Sequence, residues 1–334
     1  MVKKALYLIV FLGVFMSLST VKAQKTILKF NQNNKFRIVQ FTDTHIKAND
    51  KESQVTFATI NKILDKEKPD LVVFTGDIVT GPPLEKGWKK ATEAVIKRQI
   101  PFAVVFGNHD DENGLTRGQL SQIIEPMPYG LFVSTTENIS GNGNYLLTIK
   151  SSTGKKTAAL LYCMDSNAYS SNDSVDGYGW FHADQIGWYR AESKKQKELN
   201  NGSPVPALAF FHIPLPEFRE AYSNEKYPPV GLRLEEECPA KINPGMYAAM
   251  LESGDILGIF VGHDHNNDYL AYLHGLALAY GRFTGSKTTY GDLPNGGRVI
   301  ELTEGCRTFK TWIRTGTGEV YCQLDFPGAF INSK

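Results

Sequence analysis

The chain has 334 residues, 36 Lys and Arg against 35 Asp and Glu, and a formal charge of +1 with histidine neutral. A balance so near zero excludes a nucleic-acid coat. The four cysteines, Cys163, Cys238, Cys306 and Cys322, stand far apart with no CxxC spacing, which excludes a zinc knuckle or a thioredoxin-type site.

Residues 1–23 carry Lys3 and Lys4, then an uncharged apolar run over 5–18, then Val21-Lys22-Ala23 as a small-residue exit. That is the pattern of a secretory signal peptide. A membrane-spanning helix needs about 20 apolar residues. This run is shorter, so we expect cleavage after Ala23 and an exported protein, periplasmic or secreted, with no stable membrane anchor. Cleavage would remove three lysines and leave 33 basic against 35 acidic residues. Residues 24–334 read as one domain, because no Pro/Ser-rich linker, charge run or repeat divides them.

Five apolar runs, short and rich in Val, Ile and Phe, each end in a polar cluster. In chain order, 36–41 leads to Thr42-Asp43-Thr44-His45, 71–74 to Gly76-Asp77, 102–106 to Gly107-Asn108-His109-Asp110, 207–211 to His212, and 256–261 to Gly262-His263-Asp264-His265. Such runs predict buried strands of a sheet covered on both faces. Helical spacing over 54–66, with Val55, Ile60, Ile63 and Leu64 on one face, and over 88–97, with Ala91, Ala94 and Val95, makes the first strands parallel βαβ units. Ligands of open α/β sheets gather at the carboxyl ends of the strands, so the five clusters are predicted to converge on one rim. Farther along, 145–149, 157–164, 268–280, 298–302 and 308–313 predict hairpins in a second sheet. Helices over 183–199, opened by His182, and near 244–251 would cover outer faces. The expected α/β architecture is a two-sheet sandwich flanked by helices.

The clusters offer carboxylate oxygens, imidazole nitrogens and one amide oxygen but no thiolate, a donor set for two divalent ions of manganese, iron or zinc. Two cations held close need a bridging carboxylate, and Asp77, at the end of the second strand, is best placed for it. Asp43, His45 and His265 would complete one ion. Asn108, His212 and His263 would complete the other, the neutral amide of Asn108 leaving room for water and substrate. Such a pair, about 3.5–4 Å apart, clamps a phosphate ester and makes hydroxide available at neutral pH. His109 is surplus to both ligand sets and is expected to act as the catalytic acid, donating to the phosphate or the leaving oxygen. Any one cluster is common by chance; their conjunction after successive apolar strands is the signal.

The pattern Asp-x-His, Gly-Asp, Gly-Asn-His-Asp, His and Gly-His-x-His, from Asp43 to His265, resembles the calcineurin-like metallophosphoesterases. The stretches 74–81, 101–111, 207–216 and 262–268 resemble its branch related to plant purple acid phosphatases and a yeast cell-cycle phosphatase. The resemblance implies a four-layer αββα sandwich of two mixed sheets, a dinuclear metal centre and phosphoester hydrolysis by metal-activated water. Purple acid phosphatases proper carry a tyrosine ligand three residues after the Gly-Asp aspartate. Ser/Thr protein phosphatases carry an aspartate there, paired with the catalytic histidine. This chain has Thr80. Neither an iron–tyrosinate colour nor protein-phosphatase activity is therefore implied, and His109 must be oriented by another acid, Asp110 or Asp264.

Residues 165–167 and 176–180 could cap the metals or form a plain surface turn. The Gly-rich stretch 281–287 could bring Arg282 or Lys287 to a phosphate. His182 and His274 read as a residue opening a helix and a turn residue, and Glu235-Glu236-Glu237 as a solvated face. Cys163 reads as a buried thiol, and Cys306 with Cys322 as a candidate disulfide. Hydrolysis of small phosphomonoesters leads the functional readings. A phosphodiesterase of similar mechanism and a catalytically silent binding protein on the same fold are its rivals, and the near-neutral charge leans against a nucleic-acid substrate.

Overall fold

Strands that are apolar at every position need cover on both faces. The computed structural model, which describes residues 26–135 and 138–331, supplies that cover with two sheets flanked by helices. The predicted signal peptide lies outside the described residues. Along Thr157–Cys163, Ala159, Leu161 and Cys163 join the core between the sheets, while Leu160 and Tyr162 join a second core under the helices. The split follows from the two-residue repeat of a strand. It separates Leu208 and Phe210 from Ala207 and Ala209 in the same way.

One sheet has six strands, in the spatial order Val320–Phe326, Phe309–Thr315, Gly296–Thr303, Lys35–Phe41, Leu71–Thr75 and Phe102–Val105. The other has seven: Leu28–Lys29, Tyr145–Lys150, Thr157–Cys163, Ala207–Phe210, Ile256–Val261, Leu276–Tyr280 and Leu270–Leu273. Phe260 of the second sheet meets Phe309 of the first, their ring centroids 5.7 Å apart. The βαβ units pair in parallel as expected. Helix Ser53–Glu67 buries Ile60, Ile63 and Leu64, each worth about 1.5–3 kcal/mol against exposure, and ends at Lys68, whose left-handed backbone lets its N–H reach Leu64 O. Leu84–Lys97 adds Trp88 and Val95 to the same core. Ala183–Leu199, Glu217–Tyr222 and Met246–Ser253 cover the outer face of the seven-stranded sheet through Tyr189, Phe218 and Met250.

Several expectations change. The five cluster-bearing strands do not share a sheet: three lie in the six-stranded sheet, but Ala207–Phe210 and Ile256–Val261 lie in the other. Conversely, Gly296–Thr303 pairs antiparallel with Lys35–Phe41, covering the edge that the βαβ units leave open. Val55 is 49% exposed, because the buried stripe of its helix runs through Ser53, Thr56 and Ile60. Glu237 is buried, accepting from Arg233 at 2.8 and 2.9 Å and from the Tyr269 hydroxyl at 2.7 Å. All four cysteines are free, Cys163 buried. The register sets Phe309 opposite Phe326, so Cys322 lies four residues farther along its strand from the end where Cys306 turns. That is about 13 Å of strand, well past the roughly 7 Å Cα separation a disulfide spans.

Arg298 pins the two sheets together. It stands on Gly296–Thr303, is fully buried, and donates from Nε to Tyr280 O (2.6 Å), from Nη2 to Asp268 O (2.6 Å) and from Nη1 to Thr311 Oγ1 (3.1 Å). Arg298→Met keeps most of the volume but strands two buried carbonyls, so urea unfolding should show a loss of about 2–5 kcal/mol at unchanged m-value.

Candidate metal centre

The clusters leave their strands through tight turns. Asp43, His45, Asp77 and His263 have φ of 53°, 41°, 52° and 79°. Such left-handed backbone costs a residue other than glycine about 1–3 kcal/mol and persists where the surroundings impose it. At Asp77 it is Asp110 that imposes it. Its buried carboxylate accepts the N–H groups of Gly107 (2.8 Å), Asp77 (3.0 Å), Ile78 (2.8 Å) and Val79 (3.2 Å). Burial, with the neighbouring Asp77 charge, still lifts its carboxyl to about 6. The turns then cross-link, His45 N–H to Asp77 O at 2.9 Å and Asp43 N–H to Gly76 O at 3.1 Å. Glycine permits the crowding: a Cβ on Gly107 would lie 2.2 Å from Asp77 Oδ1, and one on Gly76, where φ is 86°, 2.3 Å from His212 Nδ1.

The result is one buried cluster drawn from both sheets. Asp43, His45, Asp77 and His265 each offer a ligand atom within 4.8 Å of the others, and so do Asp77, His212 and His263. Asp77 belongs to both groups. Its Oδ2 lies 3.2 Å from His212 Nε2 and 3.6 Å from His45 Nε2, while its Oδ1 accepts the His109 backbone N–H at 2.8 Å. His212 Nδ1 bonds Thr75 O at 2.8 Å and His265 Nδ1 bonds Tyr290 O at 2.7 Å, which turns each Nε2 inward. Metal-binding imidazoles are held by outer bonds of this kind. His45 Nε2 and His265 Nε2 face each other at 3.2 Å.

Charge and satisfaction fit two cations. Burial takes His45 down to about 4 and His263 to about 3, so both are neutral, with a lone pair to offer, at pH 7. For His212, burial opposes a proton but Asp77 outweighs it and lifts the imidazole to about 10; the same attraction favours a metal cation. Asn108 Oδ1 is buried without a hydrogen-bond partner, and His212 Nε2 faces the Asp77 carboxylate at 3.2 Å without the alignment of a hydrogen bond. Buried polar atoms are rarely left so, and a cation would satisfy both. Asp43, His45 and His265 could hold one ion, and Asn108, His212 and His263 the other, with Asp77 shared.

The surroundings differ from the sequence expectation in three places. Arg282 does not face a phosphate: it is buried, paired with Asp268, and donates to Pro294 O at 2.8 Å; Lys287 is exposed. Neither Asp110 nor Asp264 orients His109. Asp110 is occupied by backbone amides, and Asp264 accepts from the Tyr280 hydroxyl at 2.6 Å and Cys238 N–H at 3.2 Å. Glu112 Oε2 instead lies 2.6 Å from His109 Nδ1, within the same turn, a partner three residues on that could have been read from the sequence. Aromatic rings wall the site, which spacing did not reveal. His265 is stacked between Tyr290 (4.1 Å) and Phe283 (4.9 Å), and Tyr178 stands edge-on to His263 at 4.4 Å. Tyr178 stacks in turn on Tyr169 at 5.8 Å, so the segment around 165–180 does reach the cluster.

The calcineurin-like phosphoesterase family model matches residues 36–267. The chain is similar to "Probable inactive purple acid phosphatase 29" of Arabidopsis thaliana, 35% identical over 81% of this chain and 78% of that protein. It is also similar to "Phosphatase DCR2" of Saccharomyces cerevisiae, 36% identical over 72% of this chain and 46% of that protein. Among solved structures, a dimetal phosphatase from Danio rerio superposes with a TM-score of 0.60 at 12% identity, covering 87% of this chain and 98% of that one. At such identity the likeness speaks for the fold alone.

Gly107→Ala would force a methyl group against the Asp77 carboxylate. We expect the purified variant to bind less than half the manganese or zinc of the wild type by elemental analysis. Its melting temperature should also fall by about 5 °C or more, the shift produced by a cost of a few kcal/mol.

Proposed function

The chain belongs to the calcineurin-like phosphoesterase family, a hydrolase of phosphoester bonds, and on that premise we propose that it is an exported phosphatase acting on small phosphomonoesters. The observation that carries this reading is the position of Asp77 Oδ2 between His212 and His45; the buried, unpartnered oxygen of Asn108 adds to it. The Arabidopsis relative is called probable inactive and the yeast relative a phosphatase. The complete set of seven donors in this chain supports activity.

Two divalent cations, when bound, supply Lewis acidity and make water a nucleophile at neutral pH. The protein's own share is position and protons. Asp77, Asp43 and the four ligand histidines hold the charge of the centre in a buried cleft, where electrostatic interactions are stronger than in water. His109, next to Asn108, is the one clustered histidine outside both ligand groups. Its ring lies 5.6 Å from that of His45 and its side chain is 38% exposed, within reach of solvent. It is the residue we assign to proton donation. Export is supported by the signal-peptide pattern of residues 1–23. No described helix is long and apolar enough to cross a membrane.

The test is hydrolysis of p-nitrophenyl phosphate against bis-p-nitrophenyl phosphate, using protein stripped with chelator and reloaded with manganese, zinc or iron. We expect turnover restored by metal and faster on the monoester; preference for the diester would make the chain a phosphodiesterase, and no turnover under any metal would sink the enzymatic reading. His109→Ala should lower kcat by about 10²–10⁴-fold with bound metal unchanged.

A further inference from the structure

We propose that Glu112 and Tyr169 are positioning residues that aim His109 at the leaving group, an inference that rests on the phosphoesterase reading above. Glu112 Oε2 lies 2.6 Å from His109 Nδ1, and its Oε1 lies 2.8 Å from the Tyr169 hydroxyl. The same hydroxyl is 3.2 Å from Asn108 Nδ2. The direction of each bond follows from its ends. An ionised carboxylate has no proton to give, so His109 Nδ1–H and Tyr169 O–H both donate to Glu112. An amide nitrogen only donates, so Asn108 Nδ2–H gives to the tyrosine oxygen and Asn108 Oδ1 turns inward, where it is buried and unpaired. One phenol therefore ties the aim of the proton donor to the aim of a ligand oxygen.

Among the described residues, no other carboxylate bonds the His109 ring. Asp110 accepts four backbone N–H groups, Asp264 is held by Tyr280, and the buried Thr80 hydroxyl has no partner. Tyr169 is itself anchored, bridged and stacked onto Tyr178, which stands edge-on to His263. The His109 and Glu112 side chains are 38% and 41% exposed, so solvent screens their attraction. Orientation of the ring is what Glu112 contributes.

With Nδ1–H committed to Glu112, Nε2 is the nitrogen left to meet the substrate. In the step the ring enters as imidazolium, with Nδ1–H on Glu112 and a second proton on Nε2; the bond between phosphorus and the leaving oxygen breaks, its electron pair stays on that oxygen, and the Nε2 proton passes to it. The ring keeps its Nδ1 proton on Glu112. Water provides the oxygen that phosphorus gains and, over the cycle, the proton that returns to Nε2. A poor leaving group such as an alkoxide needs that proton; dinitrophenolate departs without it.

The experiment compares Glu112→Ala, Glu112→Gln and Tyr169→Phe with the wild type, metal-loaded, on ethyl phosphate and 2,4-dinitrophenyl phosphate. We expect Glu112→Ala to lower kcat on ethyl phosphate by about 10–100-fold but on the dinitrophenyl ester by less than about threefold. Glu112→Gln, whose amide oxygen still accepts Nδ1–H, should fall between, as should Tyr169→Phe. In the two Glu112 variants KM and bound metal should stay unchanged, and it is on these two that a loss of metal is judged. Equal losses on both esters, or a loss of metal, would overturn the proposal. Nitrogen-15 NMR of the zinc-loaded protein decides independently of turnover: His109 should show a downfield Nδ1-bound proton that Glu112→Ala abolishes, and a wild-type ring protonated at Nε2 alone would overturn it. A wild type that turns over neither ester under any metal counts against the phosphoesterase reading, while the NMR result still judges the positioning.

Discussion

A carboxylate buried at the meeting point of five loops is the constraint on which the rest of this structure depends. Taking a charged group out of water costs several kcal/mol unless it is paired and hydrogen-bonded. Asp77 is 1% exposed, and everything around it compensates. His212 and His45 face one oxygen, the His109 backbone N–H bonds the other, and despite burial the imidazoles, His212 foremost, hold its carboxyl well below the usual carboxylate range. Several of the turns that bring those groups in are strained, and Asp110 holds the one at Asp77 by accepting its amide protons while also bonding the Gly107 N–H. One buried acid positions the backbone so that another can face the metals.

The second requirement is that two sheets keep their strand ends in register. Gln40, on the six-stranded sheet, donates to Thr75 Oγ1 at 2.9 Å and across the interface to Val261 O at 3.0 Å, beside the turn that carries His263. Arg298 spans the same interface with two bonds, to Tyr280 O and Asp268 O. Polar groups this deep have few alternative partners, so they fix one relative placement of the sheets where apolar contacts alone would tolerate slippage. The ligands therefore stand on a rigid seam. Tyr169 and Tyr290, about half exposed on longer connections, form the wall that can vary without disturbing the centre.

Much of the fold was legible because strand and helix periods are local properties. The runs ending in Asp43, Asp77, Asn108, His212 and His263 appear as strands close to their predicted limits, and helix Ala183–Leu199 matches in full. Sheet membership was not legible. A buried strand such as Ile256–Val261 is apolar on both faces whichever sheet it joins, so its sequence carries no mark of its neighbours. The edge strand Val320–Phe326 escaped notice for the opposite reason: its exposed positions dilute the apolar pattern that identifies a strand.

The site divides along the same line. The residue types after each strand, and their order along the chain, determined that carboxylates and imidazoles would gather at strand ends, because backbone direction alone sends those positions to one end of a sheet. Partner choice among neighbours is a matter of ångströms. Asp110 and Glu112 are both acids within three residues of His109, yet one turns inward to amide protons and the other outward to the ring. Arg282 could have met a phosphate but is folded against Asp268. Only the tertiary structure decided these, since a side chain's burial and hydrogen-bond partners depend on how folding places neighbouring turns against one another. By itself the sequence determined which chemistry could assemble here; the packing of the two sheets decided which atoms face the metals and which hold them in place.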